Sequence, residues 1–123
     1  MSSFAELSEL GTQRIWEGVV ARAVYGDRMT MAVIELDPGT HLPEHLHDHE
    51  QMGFLVRGRL ELRVGEETRT LRPGATWRIA GRVPHEAHAG PEGAVVIEAW
   101  SPPRSDWQEL EAGAARPPAW PVG

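Results

Sequence analysis

The sequence predicts an all-β chain, a sandwich or barrel of roughly eight or more strands, and three observations carry that expectation. Short β-prone runs recur between glycine or proline breaks: Ile15 to Val24, Thr30 to Leu36, Gly53 to Val56, Arg59 to Val64, Thr76 to Ile79 and Ala94 to Trp100. The breaks have turn chemistry, as in Tyr25-Gly26-Asp27, Asp37-Pro38-Gly39, Arg57-Gly58, Val64-Gly65-Glu66-Glu67, Arg72-Pro73-Gly74 and Ala89-Gly90-Pro91-Glu92-Gly93. Finally, the runs differ as strands of a closed sheet should. Arg59 to Val64 alternates polar and apolar residues, fitting one wet face, whereas Ala94-Val95-Val96-Ile97 is apolar throughout and fits burial on both sides.

Taken in order, residues 1–12 fit a short helix capped by Ser2 or Ser3 and stopped by Gly11, or a loosely tied end. The runs from Ile15 to Trp100 supply the strands. Ser105 to Ala115 then fits one or two helical turns with an acidic start, which the Pro117-Pro118-Ala119-Trp120-Pro121 tail cannot continue. The 123 residues suffice for one domain, which at this length buries roughly 65% of its unfolded surface and needs no staples. No cysteine is present, so disulfides, thiolate metal sites and cysteine nucleophiles are excluded, and any metal must use nitrogen or oxygen ligands.

All 12 basic residues are arginines without a run, against 18 acidic residues, which leaves no electrostatic footprint for nucleic acid. The apolar stretches are too short to span a bilayer as helices, and the first residues lack a basic region before an apolar one. The expectation is a soluble cytoplasmic protein. Tyr25, Met29, Met31 and Met52 are expected to fill the interior, and Trp16 and Trp77 to serve the core or a subunit contact. Trp107 and Trp120 are expected to cover the end of the sheet or a partner.

The chemistry concentrates in Gly39-Thr40-His41-Leu42-Pro43-Glu44-His45-Leu46-His47-Asp48-His49-Glu50-Gln51, which holds four of the six histidines. Residues two apart on an extended chain share a face, so His45 and His47 can aim into one cavity, with Gln51 reaching the same point. His85 follows Pro84 after a further turn and strand. Three imidazoles and a carbonyl oxygen suit one divalent transition metal, whether zinc, iron, nickel, cobalt or manganese, rather than calcium. His49 and Glu50 compete with Gln51 as ligands, while His41 and His88 fit a supporting or surface role.

The spacing Gly39-x5-His45-x-His47-x3-Gln51-x6-Gly58 resembles the first motif of the cupins, in which glutamate usually stands at the place of Gln51. Gly74, Ala80, Arg82 and His85 resemble the second cupin motif without its proline, second glycine and terminal asparagine. The resemblance covers roughly residues 29 to 104. It implies one cupin domain over residues 1–123, a jelly-roll (double-stranded β-helix) barrel with its core at about 14–104 and a short C-terminal helical turn. It also implies a homodimer, and the runs Ile15 to Val24 and Thr30 to Leu36 are the strands expected at the subunit contact. A neutral Gln51 leaves the metal more positive, favouring Lewis-acid work over oxygen activation.

Glu98-Ala99-Trp100-Ser101-Pro102-Pro103-Arg104 resembles the terminal segment of small pectin-degradation cupins, which open 4,5-unsaturated monouronates to keto sugars. That resemblance implies Glu98 as acid/base, Trp100 as substrate wall and Arg104 as carboxylate clamp, with an ion pair to Asp106 as the competing role for Arg104. Glutamate and tryptophan here replace the aspartate and phenylalanine of those proteins. The function expected is a metal-dependent lyase or isomerase acting on a small acidic sugar. A polyketide cyclase, an iron dioxygenase and a non-catalytic small-ligand or metal-binding module are the alternatives.

Overall fold

Two long strands organise the chain. β5 (Glu50–Val64) and β8 (His85–Ser101) lie antiparallel along nearly their whole lengths, from Glu50 opposite Ser101 to Val64 opposite His85. Around them stand β1 (Thr12–Trp16), β2 (Val19–Tyr25), β3 (Thr30–Leu36), β4 (His41–His45), β6 (Glu67–Leu71) and β7 (Thr76–Ile79). The sheet order is β1-β2-β3-β8-β5-β6, with β4 on the first half of β8 and β7 on the first half of β5. This eight-stranded antiparallel jelly roll is seen in a computed structural model that describes residues 2–113 and 115–121.

Both long strands bend where the pairing shifts register, between Leu55 and Leu60 on β5. Gly58 sits there with φ +88°, and a Cβ on it would lie 2.1 Å from the carbonyl oxygen of Gly93, itself at φ +79°. A left-handed glycine inside a strand marks a bulge, and on sequence it looks the same as a turn. Hence Arg57-Gly58 and Ala89 to Gly93, expected to be turns, are bends that carry each strand from one half of the barrel to the other.

The runs Thr30 to Leu36 and Thr76 to Ile79 form strands with those bounds. Ile15 to Val24 does not stay one strand, because Gly18 at φ +78° reverses the chain between β1 and β2. β4 and β6 went unnoticed for a physical reason: they are largely exposed and lack the apolar alternation of a half-buried strand.

Alternation decides the interior. Ala94, Val96, Glu98 and Trp100 of β8 point inward, joined by Ala32, Ile34 and Leu36 of β3 and by Leu55, Leu60 and Leu62 of β5. Met31 and Met52 stand one residue out of phase with Ala32 and Gln51, so they and Met29 are exposed on the outside rather than filling the core. Tyr25 packs against the core, and its hydroxyl donates to Gln13.

The ends are pinned. A 3-10 turn at Leu7–Glu9 is capped by Glu6 and Glu9 in a reciprocal box, not by Ser2 or Ser3. The expected C-terminal turn is the 3-10 segment Ser105–Glu109, whose Trp107 is buried against Trp100. Farther on, Arg116 and the amide of Ala119 reach Glu35, which pairs at 3.0 Å with the buried Arg22 on the outer face. Among the described residues no helix is long and apolar enough to cross a membrane.

Candidate metal centre

β4 ends at His45, the chain turns away through His47, and β5 begins at Glu50, while His85 opens β8 directly opposite His45. Sheet pairing therefore brings residues 40 apart in sequence to one place. The ligand-capable atoms of His45, His47 and His85 all lie within 4.8 Å of one another. Ring centroids are 4.1 Å apart for His45 and His85, 5.0 Å for His47 and His85, and 6.0 Å for His45 and His47.

Each ring is tied from behind. His45 Nδ1 lies 2.8 Å from Pro43 O, His85 Nδ1 2.8 Å from Val83 O, and His47 Nδ1 3.2 Å from His49 O. A carbonyl can only accept, so each Nδ1 carries the proton and each Nε2 keeps its lone pair. His85 Nε2 is buried and has no hydrogen-bond partner. Burial also lowers the pKa of all three rings, that of His85 to about 4 from its ordinary 6.5, so they stay neutral at pH 7.

Gln51 adds a constraint. Its Nε2 donates to Glu98 Oε2, which turns its Oε1 toward His47 Nε2 at 3.0 Å. The proton of His47 is already committed to His49 O, so two acceptors face each other. A cation held there would satisfy both, and the orphaned nitrogen of His85 as well. This donor set of three imidazole nitrogens and a carbonyl oxygen fits a divalent transition metal.

Glu98 stands beside it on the inward face of β8. Its Oε2 also accepts the indole N–H of Trp77 at 2.9 Å, and among the described residues its Oε1 takes no hydrogen bond. Burial raises its pKa, opposed by the Trp77 and Gln51 hydrogen bonds and by the charge of Arg104. The side chain runs over Gly53, where any Cβ would lie 2.7 Å from Glu98 Cγ.

The rest of the segment closes one end. Trp100 is buried and meets Trp107 edge to face at 4.6 Å. Arg104 stacks over the ring of Trp107 at 4.5 Å while its Nε and Nη2 donate to Asp106. It makes the ion pair with Asp106, and its side chain, only 13% exposed, also lines the cavity.

The cavity joining these groups, about 70 Å³, is walled by Trp16, Leu42, Ile79 and Val96 as well as the polar residues above. Trp16 leans on His45 at 4.6 Å. Trp16 and Trp77 thus belong to the site, not only to the core. The alternation of β7 puts Trp77 on the face of the inward Ile79, and only the pairing of Trp77 with Gly53 brings it to Glu98. Of the competing ligands, Glu50 is exposed, and His49 turns its Nε2 to Pro103 O at 3.3 Å. His41 and His88 lie on the outer face.

Comparison with known proteins agrees with this fold. The chain is 29% identical over 100 residues to the uncharacterized protein SCO3923 of Streptomyces coelicolor, covering 80% of this chain and 95% of that one. It is 25% identical over 97 residues to the pectin degradation protein KdgF of Dickeya dadantii, covering 77% and 88%. The structure of KdgF from Halomonas sp. superposes with a TM-score of 0.78 at 27% identity, over 86% of this chain and 98% of that one. The Cupin_2 profile, described as a cupin domain, matches residues 32–100, which is more than half of the sequence, and the chain belongs to the cupin family.

Proposed function

We propose that the chain is a metal-dependent isomerase or lyase that opens a small acidic sugar, a 4,5-unsaturated monouronate, to its keto form. The observation that carries this reading is the adjacency of two groups: three back-tied imidazoles with Nε2 turned inward, and a buried carboxylate bridged to them by Gln51. His45, His47, His85 and Gln51 are the ligands. Bound there, a divalent ion supplies Lewis acidity toward substrate oxygens.

The chain's own residues do the rest. Nη1 of Arg104, free of Asp106, binds the substrate carboxylate, and Trp100 walls the ring. Oε1 of Glu98 takes the proton of the anomeric hydroxyl as the ring carbon–oxygen bond breaks, leaving an aldehyde and an enolate. The same oxygen returns the proton to the enolate carbon, giving the ketone. A carboxyl with a raised pKa suits a group that must both take and give. The neutral amide at 51 fits this scheme, because a second carboxylate there would compete with Glu98 for one proton.

One observation favours a second reading. The cavity wall is mostly apolar, which suits a polyketide cyclase acting on an aromatic precursor. Incubating metal-loaded protein with an unsaturated monouronate, and following loss of its ultraviolet absorbance, separates the two. Metal-dependent decay that disappears in Glu98→Gln, with metal content kept, supports the sugar reading. A metal-loaded wild type that leaves the uronate untouched overturns it.

The homodimer belongs to the same proposal. Met31, Met52 and Phe54 are exposed on adjacent rows of one outer face, an apolar surface suited to a second copy. Met52→Glu is expected to halve the mass seen by light scattering. An unchanged mass, or a monomeric wild type, removes this contact.

A further inference from the structure

The geometry points to a second metal site, on the outer face of the barrel, built from His41, His88 and Glu86. It would take a borderline divalent ion such as zinc or copper(II). It is independent of the interior cluster and uses none of its side chains.

The three residues are brought together by sheet register rather than by a loop. His41 of β4 is directly opposite His88 of β8, and Glu86 lies two residues earlier on β8, so all three share one face. The imidazoles stack with centroids 4.1 Å apart and planes 6° from parallel. Both turn Nε2 toward the same oxygen, Glu86 Oε2, at 2.6 Å from His41 and 3.9 Å from His88.

The other carboxylate oxygen is already assigned. Glu86 Oε1 accepts from Arg63 at 3.1 Å, and Arg63 also reaches Glu44 at 2.8 Å. The guanidinium therefore fixes the carboxylate plane and leaves Oε2 to face the two rings. With the His41 proton moved to Nδ1 and the two stacked rings tilted out of parallel, two lone pairs and one carboxylate oxygen can be aimed at one point.

The distances are close to what an ion requires. The ligand atoms lie within 4.8 Å of one another. In a tetrahedral zinc site with bonds near 2.1 Å, ligand atoms stand roughly 3.4 Å apart. Closing that gap requires the two rings to unstack, a rotation open to side chains that are about half exposed, at 46% and 48% for the two histidines. Two nitrogens and one oxygen leave a coordination position for water, and Glu61, in register beside His88, lies on the same face. Such a donor set suits zinc or copper(II) better than calcium or magnesium.

The test is calorimetric titration of chelator-stripped protein with zinc, alongside the double variant His41→Ala/His88→Ala. Wild type is expected to bind two ions per chain in two affinity classes, and the double variant to lose one class while keeping the other. His47→Ala is expected to retain the class the double variant loses, which separates failure of the interior reading from failure of this one. If the interior variant misfolds, the ring signals of His41 and His88 in wild-type protein, followed by NMR, give a reading without substitution. Zinc should shift both together. A double variant with the wild-type number of ions and affinities, or ring signals that zinc leaves in place, overturns the site.

Discussion

β4, the turn after it and β8 place histidines on both faces of the barrel wall, and the two sets are built differently. On the inner face His45, His47 and His85 each spend one ring nitrogen on a backbone carbonyl, so ring position and tautomer are fixed by the fold. On the outer face His41 and His88 lean on each other and on Glu86 through side chains alone. The difference teaches what preorganisation costs and yields. The inner set buries a nitrogen with no partner and gains a fixed geometry, whereas the outer set costs little and must still rotate to bind.

The comparison breaks altogether if β5 and β8 cannot cross. Gly58→Ala forces a Cβ to 2.1 Å from a backbone oxygen at a left-handed φ, and is expected to cost roughly 3 kcal/mol or more, measured by denaturant unfolding. It should weaken both faces at once. His85→Ala separates them, since it removes an inner ligand at the start of β8. The interior ion should bind at least ~100-fold more weakly by competition with a chromogenic chelator, with the outer pair untouched.

Acid sharpens the same contrast. Burial pushes His85 down to about 4 from 6.5, so between those values the unfolded chain holds more protons than the folded one. Stability of the metal-free chain therefore falls as pH drops through that window. Glu98, whose pKa is raised, acts with the opposite sign, gaining relative stability as the pH falls. Thermal melts between pH 7 and pH 4 should show a steeper loss in Glu98→Gln than in wild type, and a shallower one in His85→Ala. The smallest effect is expected for His88→Ala on the metal-free chain, less than about 0.5 kcal/mol, because the side chain is about half exposed. A larger loss in the same melts would mean that the outer pair is structural.

Much of this was legible in the sequence, for identifiable reasons. His45 and His47 stood out because spacing along an extended chain is a local property, and His85 stood out through Pro84 and its motif position rather than through spacing to the other two. Glu98 stood out because the stretch from Glu98 to Arg104 resembles the terminal segment of pectin-degradation cupins, since Glu35 ends an apolar run just as Glu98 does. The bends at Gly58 and Gly93 were misread because a glycine with positive φ has the same signature in a turn and in a bulge. The contribution of Trp77 was hidden because it depends on which residue lies across the sheet, and cross-strand register is not written in any single run.

The crossing of β5 and β8 also bears on how the molecule is made. The partners joined along these strands lie from 21 residues apart, for Val64 and His85, to 51 apart, for Glu50 and Ser101. Pairing over such separations has to close long loops before the contacts repay it, which places this chain among slow-folding topologies. His85 sits at the start of β8 on that ladder and Glu98 near its other end, where Gln51 of β5 donates to the carboxylate. Glu98 and His85 therefore face one cavity only when the ladder has paired at both of its ends, so the centre depends on the longest-range pairing in the chain.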